Sequence, residues 1–190
     1  MSKTMACNFT EVFPACRRLL TAPQWQEFLA LLTPAANLAD LADLLADPAA
    51  GLPAAPPYLP ALARLELALH RAGQENPALP AMVAQRTINP SLQLLDSSWG
   101  GLPLLLEENG AEAAPGVSRR QQVDMIWLDP ETGKSQAQAA GPEELLALKL
   151  VAEGIDPCQA AALGELSVGA IEAALARAAA RGILLVPASR

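Results

Sequence analysis

Apolar positions between residues 142 and 186 recur every three or four residues in three bursts and then become continuous. That spacing predicts three amphipathic helices followed by an extended segment. Pro142 suits the first turn of the first helix, and Glu143 and Glu144 follow where carboxylates complement the helix dipole. Gly154 closes that helix, Asp156-Pro157 starts the second, Ser167 caps the third and Gly182 stops it. "ILLVP" then continues as a strand or extended tail. Upstream, "QQVDMIWL" alternates, with Val123, Met125 and Trp127 on one face. "DPETGK" supplies Pro130 and Gly133 for a tight reversal into a weaker strand, "SQAQAA".

The first half reads as helices broken by proline. "FTEVFPACRRLL" and "PQWQEFLALL" carry apolar residues at helical spacing, with Pro23 in a first turn. "ANLADLADLLAD" sets Leu38, Leu41, Leu44 and Leu45 opposite aspartates. "PAAGLPAAPPYLP" has five prolines and reads as a loop. From Pro60 to Ala72 a further helix gathers Leu62, Leu65 and Leu69 on one face. "QRTINPSLQLLDSSWGGLPLLLEENG" starts extended, crosses an Asn-Pro turn, alternates or coils toward Trp99, and ends in a short helix from Leu102 to Glu108. "NGAEAAPGVSRR" is small, polar and broken by Pro115 and Gly116, which marks a domain boundary. The expected class is mainly α with a small α+β part. It comprises a helical domain over residues 1–113 and a winged-helix domain over 118–190.

Composition narrows the function. The chain has 190 residues, of which 52% are hydrophobic but only 4% aromatic, so its core is built chiefly from Leu and Ala. Thirteen basic residues against twenty acidic ones leave a net charge of −7. Nucleic-acid binding draws much of its affinity from neutralised phosphate, so this balance disfavours DNA. No membrane-length apolar run and no secretory h-region occur, which makes a cytoplasmic protein the expectation.

Little in the sequence points to catalysis. Cys7, Cys16 and Cys158 are widely spaced, and His70 is the single histidine, so no metal set is expected. Gly100-Gly101 lacks the Lys and Ser/Thr of a phosphate loop, and no nucleotide or other cofactor is expected. Glu66 and His70, four residues apart, read as a surface helix pair worth a few tenths of a kcal/mol. With no nucleophile, base or ligand cluster, no catalytic residue is assigned.

The third C-terminal helix, "SVGAIEAALARAAARG", stands where a winged-helix domain would read DNA. Its N-terminal end offers Gly169 and Glu172, and its cations, Arg177 and Arg181, come late. An alanine-faced helix instead lets another backbone approach. It either accepts an extended peptide beside a strand edge or packs on the N-terminal domain.

The hairpin with Trp127, Asp129 and Gly133, the helix from Glu143, and Ile171 through Leu184 resemble PqqD-like domains, the leader-recognition elements of ribosomally made, modified peptides. In the first half, "LPALARLELALHRA" followed by "INPSLQLLDSSWGGLPLLLEE" is similar to the HvfC/BufC-like family. Gly100-Gly101 replaces that family's proline-led stretch. Together the resemblances imply a non-catalytic partner that binds a precursor peptide and docks on an iron-dependent peptide-modifying enzyme, which itself holds the iron. Such a peptide would add as a strand near Gln136, Gln138 and Ala139. It would pack on Ala174, Arg177, Ala178 and Arg181, the arginines pairing with acidic leader residues. The alternatives are a winged-helix DNA-binding transcription regulator and a plain protein–protein adaptor.

Overall fold

A computed structural model describes residues 9–32, 52, 55–75, 79–80, 82–107, 116–164 and 166–187. In the first half these form α1 (Phe9–Val12), α2 (Pro14–Leu19), α3 (Ala22–Leu32), α4 (Leu59–Glu75), β1 (Thr87–Ile88), β2 (Gln93–Gly100) and a 3-10 turn, Leu102–Leu106. There follow β3 (Ser118–Leu128), β4 (Ser135–Ala139), α5 (Pro142–Glu153), α6 (Pro157–Leu163), α7 (Val168–Ala180) and β5 (Leu184–Leu185). The leucine stripe at 38–45 lies outside the described residues, as do most of the proline-rich loop and residues 108–115 of the expected boundary.

The expectation of a mainly α chain ending in a winged-helix domain is corrected. Among the described residues about 52% are helical and 19% lie in strands, in two small antiparallel sheets, a mixed α/β composition. Two segments account for the difference. "QLLDSSWG", expected to alternate or coil, is the eight-residue strand β2. Ser118–Arg120, expected in a linker, begin the eleven-residue β3. The larger sheet has the order β2-β3-β4, and the terminal strand β5 pairs with β1 rather than with the hairpin.

Two compact units divide the chain: Met1–Arg71 with Asp96–Gln122, and Ala72–Leu95 with Val123–Arg190. In the first, Phe13 meets Phe28 edge-on at 5.4 Å and Trp25 stacks on Phe28 at 5.2 Å. Arg18 Nη2 donates to the carbonyls of Leu105 and Glu107 at 2.7 and 2.9 Å, tying α2 to the 3-10 turn.

In the second unit, Met125 and Trp127 of β3 join Ala147, Leu148 and Leu150 of α5, Ile171, Leu175 and Ala178 of α7, and Ile183 and Leu184 in one core. Burying Ile171 or Leu175 is worth about 1.5–3 kcal/mol each, which fixes the face α7 turns inward. Trp127 Nε1 donates to the Arg181 carbonyl at 3.0 Å, so the indole is buried with its polar edge satisfied. Gly182, just past α7, has φ +72°, and a Cβ there would lie 2.3 Å from Pro130 Cδ, so conformation and space both select glycine.

A buried polar knot closes this unit. Asn89 Nδ2 donates to the carbonyls of Leu128 and Gly182 at 2.9 and 2.7 Å. Its Oδ1 accepts from Ser91 N and Oγ, and Ser91 Oγ in turn accepts from Leu128 N at 2.8 Å. The Asn-Pro turn expected from sequence is thereby a clamp joining β3, the end of α7 and the residues after β1.

Candidate functional site

The β3–β4 hairpin holds the first group of candidate residues. Its turn is set by Asp129, whose Oδ1 accepts from Glu131 N at 2.8 Å and Thr132 N at 3.4 Å. Those bonds favour the carboxylate, the Glu131 N–H most, and hold its pKa below the ordinary value. Across the ladder Met125 stands opposite Gln138 and Trp127 opposite Gln136, so both glutamines share the face of the buried Met125 and Trp127. Ser135, Ala137 and Ala139 take the other face. Gln136 is exposed, whereas Gln138 and Ala139 are half-buried. Gln138 Nε2 donates to the Ala139 carbonyl at 3.4 Å.

Backbone alternation then decides which groups of β4 are spoken for. Asp129 N donates to the Lys134 carbonyl and Ala140 N to the Val123 carbonyl. In an antiparallel pair the bonded positions alternate, so residues 134, 136, 138 and 140 bond to β3. The backbone groups of Ser135, Ala137 and Ala139 point away from it. With the order β2-β3-β4, that side of β4 is an edge, with no strand beyond it among the described residues.

The second group lies on α7 and divides in two. Ala174 and Ala178 are 4% and 0% exposed, on the core side of the helix. Arg177 and Arg181 are exposed and already paired: Arg177 with Glu143, and Arg181 Nη1 with Glu144 Oε1 at 2.6 Å. Glu144 is 14% exposed in that pair, and its Oε2 also accepts from Gly141 N at 3.1 Å. The first turn of α5 is therefore fastened to the last turn of α7. Charge complementarity at both helix ends favours this, with the acids at an N-terminus and the bases at a C-terminus. The arginines face α5, and the side chains of Ala174 and Ala178 are covered.

Glu66 was expected on a surface, and its position is corrected. It is 2% exposed, and its carboxylate accepts from Ala15 N at 2.5 Å and Cys16 N at 3.0 Å, latching α4 to the first turn of α2. Loss of water lifts its pKa above the ordinary value, opposed by those hydrogen bonds and by Arg18. Burial and the neighbouring carboxylate likewise lift the Cys16 thiol well above its ordinary value. The signal was present in sequence: Glu66 falls one turn after Leu62 and beside Leu65, on the apolar stripe itself. Cys16 is buried and Cys158 exposed, both as free thiols. No group of three or more His, Cys, Asp or Glu side chains among the described residues could hold a metal ion. Nor is any helix among them long and apolar enough to cross a membrane.

No protein-family model, no curated protein and no solved structure matches this chain.

Proposed function

We propose that the chain is a non-catalytic partner that captures a precursor peptide and presents it to an iron-dependent peptide-modifying enzyme. The reading starts from the residues that resemble HvfC/BufC-like and PqqD-like sequences. The observation that carries it is the edge of β4. Three outward-facing backbone positions there, Ser135, Ala137 and Ala139, bear small side chains that let a second strand come close. Strand addition draws affinity from main-chain hydrogen bonds, which this edge offers, and needs no basic groove. The net charge of −7 favours a peptide over duplex DNA. Arg177 and Arg181 contribute to capture only if acidic leader residues displace Glu143 and Glu144, so recognition is assigned first to β4.

The test is a tagged pull-down from the native host, with mass spectrometry and a metal assay on the eluate. An iron-containing enzyme recovered with a short genome-encoded peptide is the expected result. Recovery of duplex DNA would favour a regulator, and recovery of the chain alone would overturn the reading.

A further inference from the structure

A cleft of about 240 Å³ opens in the second unit. Its walls are Gln85 and Arg86 ahead of β1, Leu150, Val151 and Ile155 at the end of α5, and Leu175 of α7. Leu150 and Leu175 belong to the buried core, and Val151 and Ile155 pack against it, so the floor is aliphatic and continuous with the interior. Small-molecule sites commonly occupy roughly 300–1,000 Å³, which makes this cleft the size for one residue or a small acid rather than a nucleotide cofactor.

One cation stands over that floor incompletely paired. Arg86 Nη2 lies 3.8 Å from Glu172 Oε2, a long contact between two partly exposed side chains. Arg86 Nε is buried and has no hydrogen-bond partner among the described residues. A buried guanidinium N–H without an acceptor is costly, and the guanidinium fork is shaped for two oxygens of one carboxylate. Glu172 reaches one arm of the fork at a distance, and the Nε proton is left without an acceptor among the described residues.

We propose that this cleft binds a carboxylate carried on a compact aliphatic body. The carboxylate would take the Nε and Nη protons of Arg86, and the aliphatic part would rest on Leu150, Val151, Ile155 and Leu175. A peptide ending in Leu, Ile or Val has that chemistry, and so has a free branched-chain acid. Glu172 is the competing anion, so its charge weakens binding of either. The site is independent of strand capture at β4 and stands or falls without it.

The experiment is an NMR titration of the full chain, following the Arg86 Nε–H and the methyl groups of Ile155 and Leu175. The probes are 4-methylpentanoate, acetyl-Ala-Ala-Leu with a free C-terminus, and the same tripeptide as its C-terminal amide. Saturable shifts at both reporters are expected with a carboxylate probe, and binding at least about tenfold weaker with the amide, as loss of a charge-assisted pair implies. Saturation by 4-methylpentanoate identifies a small-acid site, and saturation by the tripeptide alone identifies a C-terminus site. Arg86→Gln should weaken the carboxylate probes to the level of the amide, and Glu172→Gln should tighten them several-fold. Equal binding of acid and amide, or no saturable shift with any probe, overturns the proposal without recourse to a variant.

Discussion

Glu66 shows how one buried carboxylate reports its surroundings through pH. Its pKa is raised, chiefly by burial, so the folded protein holds that proton more tightly than the unfolded chain does. A raised folded value stabilises fully below the ordinary glutamate value of about 4.3, and that contribution is lost as pH rises through the raised value. Glu66→Gln does not titrate. The stability advantage of the parent over this variant should therefore shrink from pH 4 toward neutrality in urea melts taken at each pH. An advantage that grows instead would mean that the N–H bonds from Ala15 and Cys16 outweigh burial. Asn89 works by satisfaction rather than charge, since both its amide protons and its oxygen are bonded inside the fold. Asn89→Ala leaves the Leu128 and Gly182 carbonyls and the Ser91 N–H to find new partners. A loss of about 2 kcal/mol or more is expected, read as a lower midpoint with an unchanged denaturant slope.

Among the elements, β4 gives the sharpest contrast. Ala137 N–H faces the open edge and Gln138 N–H faces β3, one residue apart on the same strand. Ala137→Pro should leave the fold within about 1 kcal/mol of the parent while abolishing peptide capture, because proline removes a donor that only an added strand would use. Gln138→Pro removes a ladder bond and should destabilise the hairpin itself. Retention of peptide by the folded Ala137→Pro protein would move recognition away from β4. The α5–α7 junction poses a different question, because Glu144 serves both the Gly141 N–H and Arg181. Glu144→Ala is expected to cost about 1–2 kcal/mol, mostly from the lost cap, since exposed ion pairs contribute little. A thermal melt in 0.5 M salt separates the two, because the ion pair is screened and the cap is not.

At the scale of the molecule, the second unit is discontinuous in sequence. Residues 72–95 supply β1, Asn89 and Ser91 to a core whose remainder comes from 123–190. A fragment covering 118–190 would expose the β5 edge and leave Leu128 and Gly182 without the Asn89 amide. Such a fragment should lack cooperative unfolding by circular dichroism, and adding a peptide of residues 72–95 should restore it. Cooperative folding of the fragment alone would show that the Asn89 clamp is dispensable.

Local rules reach a definite distance into this protein. Pro142, Gly154, Asp156, Ser167 and Gly182 mark helix ends because capping and left-handed turns depend on a few neighbouring residues; α5 and α7 begin and end, and α6 begins, where they direct. The alternation in "QQVDMIWL" and the Pro130–Gly133 reversal announce β3 and β4 for the same reason. Pairing between distant segments has no such local signature. Two residues, Thr87 and Ile88, become a strand only because Leu184 and Leu185 come alongside. "QLLDSSWG" becomes β2 because β3 offers it a ladder, which turned an expected helical first half into mixed structure. The candidate site divides along the same line. Sequence spacing located β4 and placed Arg177 and Arg181 late on α7. Tertiary packing alone determined that Ala174 and Ala178 are covered, that the two arginines already hold Glu143 and Glu144, and that Arg86 stands over an aliphatic cleft. Each of those outcomes depends on which surfaces meet once apolar area has left water, and that choice is made by the whole chain at once.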